Sequence, residues 1–133
     1  MIKTIYFDVE SRKRRELIDI TEKLKELVSK EDGSGLINVF VPHTTAGILI
    51  NENEEGLKND ILNTFEKLVP ENEKYEHNMI DNNADAHILS VIIKNNSCIP
   101  FFDGKLLLGT WQSIFFVELD GPRHRKVIVT FFK

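Results

Sequence analysis

Residues 36–41 read LINVFV, an almost unbroken apolar run in which Ile37, Val39 and Val41 are β-branched. A run this short and this apolar suits a strand with neighbours on both sides. Pro42, which has no N–H to give to a ladder, marks its end. A central strand of this kind commits the chain to a sheet, and the remaining segments must supply the partners.

They do so in order. Residues 2–9 alternate, with Ile5, Phe7 and Val9 on one side and Tyr6 and Asp8 on the other, the period of a half-buried strand. Residues 17–20 make a second short strand. Asp19 or Thr21 then caps a helix that presents Leu24, Leu27 and Val28, and the Gly-Ser-Gly at 33–35 stops it. After a bend at His43-Thr44-Thr45, residues 46–50 resume as a strand. Glu54 and Glu55 suit the start of a second helix with the stripe Leu57, Ile61, Phe65 and Leu68, and Pro70 breaks it. Asn83 is placed to cap a third helix with Asp85 in its first turn and Ala84, His87, Ile88 and Val91 on one face.

Asp103-Gly104 between two apolar runs is a strong hairpin signal. Residues 111–119 form a long strand and residues 127–132 a closing one. The pattern predicts one domain over residues 1–133 of α+β class: a largely antiparallel β-sheet bent into a sandwich or partial barrel, with about three helices.

Charge and cysteine narrow the partners. With 17 basic and 21 acidic side chains the net charge is −4, so no general field draws in nucleic acid or an acidic membrane. An anion must be met by a local device. Cys98 is the only cysteine, which excludes an intrachain disulfide and fits a reducing compartment. The first fifteen residues lack a signal-peptide run, and no stretch approaches the roughly 18 apolar residues of a membrane span. A cytoplasmic protein is expected.

Three polar clusters carry the functional reading. Residues 75–87, YEHNMIDNNADAH, gather His77, Asn78, Asp81, Asn82, Asn83, Asp85 and His87 in one short reach. His43, Thr44 and Thr45 add an imidazole and two hydroxyls at a bend, a combination that binds phosphate or carboxylate and transfers a proton. Residues 120–125 bring Arg123, whose guanidinium is a fork for phosphate, beside Asp120. We expect these pieces to converge on one anion-recognising site, with His43, Asp85 and His87 as catalytic groups and Thr44, Thr45, Asn83 and Arg123 on the substrate.

Simpler roles stand beside each assignment. The threonines also suit turn hydrogen bonds, His87 an ordinary core position, Asp85 the helix dipole, and Arg125 a solvated tip. Trp111 either packs in the core or lines a flat ligand. His43, His77 and His87 raise the question of a three-histidine zinc site with an open fourth position, although no HExxH pair or cysteine partner supports it.

The motifs PHTTAGILINENEE, HNMIDNNADAHI and DGKLLLGTWQSIFFVELDGPR together resemble the YjbQ-like family over almost the whole chain. The resemblance implies an α+β domain, a homotrimer with pockets near the subunit boundaries, and a weak thiamine-phosphate synthase activity. That reaction joins a hydroxymethylpyrimidine diphosphate to a thiazole phosphate. The positions matching the family's motifs are His43, Thr44, Thr45, Asn51, Glu52, His77, Asn78, Asn83, Asp85, His87, Gly109, Trp111, Gln112, Asp120 and Arg123. Asn51, Trp111 and Gln112 thereby join the expected substrate contacts. A divalent metal, zinc or magnesium, is left open, as are a metal-dependent hydrolase and a non-catalytic metabolite-binding module as alternative functions.

Overall fold

The computed structural model describes all 133 residues. In chain order the elements are β1 (Ile2–Glu10), β2 (Glu16–Asp19), α1 (Thr21–Val28), β3 (Ser34–Phe40), β4 (Ala46–Asn51), α2 (Glu55–Leu68), a 3-10 turn (Glu76–Met79), α3 (Ala84–Ile93), β5 (Asn96–Phe102), β6 (Lys105–Leu106), β7 (Ser113–Glu118) and β8 (His124–Phe132). The strands form a five-stranded sheet in the order β1-β8-β3-β5-β6 and a three-stranded sheet in the order β2-β7-β4. Every pairing is antiparallel. The α+β reading therefore holds, with a curled larger sheet facing a smaller one.

β3 is the middle strand, as its apolar run predicts. Its burial nevertheless alternates: Ile37 and Val39 are fully buried while Leu36 is 43% exposed. The reason is that only the inner face of the large sheet is covered. Ile37, Val39, Ile99, Phe101, Val127, Val129 and Phe131 on that face meet Ala46, Ile48, Ile114 and Phe116 from the small sheet, and α1 adds Leu24 and Val28. Each Val, Leu, Ile or Phe among them contributes about 1.5–3 kcal/mol on full burial.

The small sheet is covered twice. Val117 and Leu119 pack outward against Val69 and against Ala86 and Leu89 of α3. Residues 114–119 are consequently all buried, including the charged Glu118.

Four expectations need correcting. α3 turns Ala84, Asp85, Ala86, Leu89 and Ser90 inward, whereas Ile88 and Val91 are exposed, Val91 at 79%. A helix apolar on nearly all sides does not announce its buried face, and the sheet is met through the small Ala86 beside Leu89. β7 starts at Ser113, leaving Trp111 and Gln112 in the preceding turn, and β8 starts at His124, so Arg125 is a strand residue. α2 buries no residue fully, and Leu68 of its stripe is 65% exposed.

The start of α2 and the hairpin turn behave as read, whereas the residue that opens α1 is Ile20, with no side-chain cap. Glu54 accepts from the N–H groups of Gly56 and Leu57 at 2.6 and 2.9 Å and so starts α2. Asp103 (φ 45°) and Gly104 (φ 78°) both take the left-handed conformation that matches the twist of a two-residue hairpin. No helix is long and apolar enough to cross a membrane.

Candidate functional site

At one end of the two sheets a cavity of about 620 Å³ is lined by His43, Thr44, Thr45, Asn83, His87 and Arg123, with Asp81 and Arg125 at its wall. A second cavity of about 430 Å³ shares His43, Thr44, His87 and Asn95 with the first and reaches on to Ser90 and Lys94. The shared lining makes them one groove. Segments far apart in sequence therefore do meet.

The floor is a buried ion pair joining the two sheets. Arg125 of β8 donates from Nε to Glu118 Oε1 of β7 at 2.9 Å, and its Nη2 bonds Oε2 of the same carboxylate. That Nη2 also reaches Thr45 Oγ1 at 2.9 Å, which fixes the bend after β3. Ser11 donates to Glu118 at 2.6 Å from the end of β1. Burial opposes ionisation of Glu118, but the hydrogen bonds from Arg125 and Ser11 outweigh it and hold its pKa below the ordinary value. Arg125 is thus not a solvated tip.

His43 stands above this floor. Burial, and then the charge of Arg125, push its pKa down, so the ring is neutral at neutral pH. Its Nε2 accepts the Lys126 backbone N–H at 3.0 Å. The neutral ring therefore carries its proton on Nδ1, and what it has left for a ligand is a donor. Its basic lone pair is already in use. The His87 ring, half-buried in the groove, makes no hydrogen bond within the chain and lies edge-on to His77 with ring centroids 4.7 Å apart. Both of its ring nitrogens are therefore left for a ligand.

Asn83 does not cap α3 with its side chain; Asn78 Oδ1 takes the Ala84 N–H instead, at 3.0 Å. The Asn83 carboxamide is spent on a relay. Its Nδ2 donates to Asp120 Oδ2 at 2.8 Å and its Oδ1 faces His77 Nε2 at 2.9 Å. The same Asp120 oxygen accepts from Arg123 Nη2 at 3.0 Å, and the Asp120 carbonyl accepts from Arg123 Nε at 2.8 Å. Arg123 is half-exposed yet aimed by this chain of contacts.

Asp85 is placed elsewhere. Its side chain is 1% exposed and grips Arg14 through two 3.0 Å bonds and Arg15 through one of 2.6 Å. Burial opposes its charge, but the two arginines win and hold its pKa low. A carboxylate saturated in this way, and absent from the groove lining, is an anchor for α3 and not a base.

Asn51, Trp111 and Gln112 also lie outside the groove of their own chain. Asn51 Oδ1 accepts from the N–H of Glu52, Gln112 Oε1 from that of Gly109, and Trp111 is 72% exposed. The register explains it: Ala46 pairs with Glu118 at the groove end, and Asn51 pairs with Ser113 at the other. Five strand steps separate those ends by roughly 17 Å.

The three-histidine set is not assembled. No group of three His, Cys, Asp or Glu side chains is arranged to hold a metal, and His43 and His77 each have Nε2 engaged within the chain.

Sequence reasoning missed Arg14, Arg15 and Glu118. A lone glutamate inside the run IFFVEL was the available signal, since a charge in a buried strand must find a partner.

Fold and site define a class: small α+β domains of two facing antiparallel sheets with a groove of imidazole, hydroxyl and guanidinium groups at one end. Residues 5–133 match the family model described as UPF0047 protein YjbQ-like, and the chain belongs to that family. A UPF0047 protein of Archaeoglobus fulgidus is 49% identical over 121 residues, covering 91% of this chain and 94% of the relative. The UPF0047 protein YugU of Bacillus subtilis is 40% identical over 94% of each chain. A YbjQ-like protein of unknown function from Sulfolobus solfataricus superposes with a TM-score of 0.92 at 38% identity over 98% of both chains. A hypothetical protein from Aeropyrum pernix gives 0.91 at 42% identity over 96% of both.

Proposed function

We propose that the groove binds a small phosphorylated metabolite and acts on it as an enzyme, with the thiamine-phosphate-synthase type of joining as the reaction to assay. The observation that carries this reading is the meeting of Arg123, the Nδ1–H of His43, Thr44 and the free ring of His87 around one cavity. In that reaction the thiazole nitrogen forms a bond to the pyrimidine's methylene carbon. The carbon–oxygen bond to the diphosphate breaks, and its electron pair leaves with pyrophosphate. The protein's task is to neutralise the charge that grows on the leaving group and to hold the acceptor in line. Arg123 and the His43 donor suit the first task.

A resident divalent ion does not fit this donor set. Asp81 is the only carboxylate lining the larger cavity, and no three ligating side chains converge.

His87→Ala and Arg123→Ala are each expected to abolish product formation with the melting temperature unchanged. Unchanged product in either variant sinks the assignment. Binding of the diphosphate by wild type without conversion replaces it with a metabolite-binding module.

We propose also that the chain works as a homotrimer. The outer face of the large sheet leaves Ile2, Tyr6, Leu36, Phe102 and Phe132 exposed, an apolar group of the kind that marks interaction surfaces. Sedimentation equilibrium giving a single monomeric species would reject this.

A further inference from the structure

Lys94 ends α3 with φ 82° and ψ 160°, a region that is essentially reserved for glycine. Its backbone is held from several sides. The Lys94 N–H donates to the Ser90 carbonyl at 3.0 Å, and its carbonyl accepts from the Ile48 N–H at 3.1 Å. The next carbonyl, of Asn95, accepts from the Val41 N–H at 2.8 Å. Gly47 packs so close to the Lys94 carbonyl that a Cβ there would lie 2.7 Å from it. These contacts knit the end of α3 to β3 and β4 and impose the conformation on whatever residue stands at 94. Glycine would meet all of them without strain. The chain carries a lysine, so the side chain serves a purpose the backbone does not require.

Its surroundings say which. Lys94 lines the smaller cavity with His43, Thr44 and His87, and no carboxylate belongs to that lining. Arg123 and Arg125, the other cations of the groove, are paired with Asp120 and Glu118. None of the chain's ion pairs involves Lys94. In a protein of net charge −4, it is the groove's one uncompensated cation. We propose that the Lys94 end is a second oxyanion subsite, which takes the phosphate monoester of a second reactant while Arg123 takes the phosphate of the first. The inference rests on reading the groove as a site for phosphorylated metabolites and adds that it accommodates two such groups.

Calorimetric titration with inorganic phosphate, at constant ionic strength set by chloride, tests it. Wild type and Lys94→Arg are expected to bind two phosphates per chain. Lys94→Gly should lose one, with the dissociation constant of that site rising about ten- to a hundredfold, and Arg123→Ala should lose the other. Two phosphates of unchanged affinity on Lys94→Gly overturn the subsite. One phosphate on wild type, lost in Arg123→Ala and kept in Lys94→Gly, overturns the subsite and leaves the proposed function standing. Loss at Lys94 with none at Arg123 supports the subsite and removes the Arg123 contact from the proposed function. No phosphate bound by wild type overturns both. Lys94→Gly and Lys94→Ala both lack the amine, so their melting temperatures isolate the backbone: glycine should melt higher, and equal melting overturns the strain at position 94 and with it the subsite's first support.

Discussion

Asp85 lies beneath two arginines and Glu118 beneath one, and in both cases the guanidinium groups hold the carboxylate ionised against the effect of burial. Asp85→Asn keeps the shape but leaves Arg14 and Arg15 short of their counter-charge. Breaking a buried pair from one side costs about 3–5 kcal/mol, and a urea titration should show that order of loss. The pH dependence follows from three depressed groups. Asp85 and Glu118 have folded pKa values below their ordinary 3.8 and 4.5, so the stability they contribute is complete above those values and is lost as pH falls through the folded ones. His43 is depressed from 6.5; below that pH the unfolded chain takes up a proton that the folded chain refuses. His124, raised by Glu10 and then Asp8, acts in the opposite sense, but it is exposed and screened. Stability should therefore begin to decline below about pH 6.5, and His43→Gln should remove that first part of the decline while sparing the drop below pH 4.5. If the variant and wild type fall together from pH 6.5, the account of His43 is wrong. At this scale the His43 bend and Arg123 were legible because turn chemistry and guanidinium forks are local properties. Asp85 was misread because its partners lie 71 and 70 residues away.

Among the elements, the strands announced themselves through a period of two or through unbroken apolar runs, and the Asp103-Gly104 turn through its residue types. α3 did not. ADAHILSVII offers apolar residues in every direction, so periodicity could not choose between a face through Val91 and one through Leu89. The structure chooses Leu89, and the choice is measurable. Leu89→Ala should cost about 2–5 kcal/mol as a cavity opens against Val117 and Leu119. Val91→Ser should stay within about 0.5 kcal/mol in the monomer. Comparable losses in both variants would mean that α3 is turned the other way. The displaced Trp111, Gln112 and Asn51 have a different cause. Motif spacing cannot show which end of an antiparallel pair a residue occupies, and the β4–β7 register sends these three away from the groove.

For the molecule as a whole, the class of fold was readable because a central apolar strand, a hairpin and three helix signals leave few ways to bury the same surface. The assignment of each strand to its sheet was not, since it depends on which strands pair across long separations. The joint between those sheets is the Arg125–Glu118 contact, and the same contact is the floor of the groove. Replacing both partners with apolar residues of similar volume, as in a Glu118→Leu, Arg125→Met double variant, should cost less thermal stability than Glu118→Leu alone, which leaves Arg125 buried without its counter-charge. Phosphate affinity should fall, because Thr45 loses its anchor; undiminished affinity would show that the floor plays no part in recognition. Shared hardware of this kind makes occupancy and mechanical coupling reciprocal. A bound anion should stiffen the seam, and amide hydrogens of β7 and β8, well behind the opening, should exchange more slowly whenever the groove is filled.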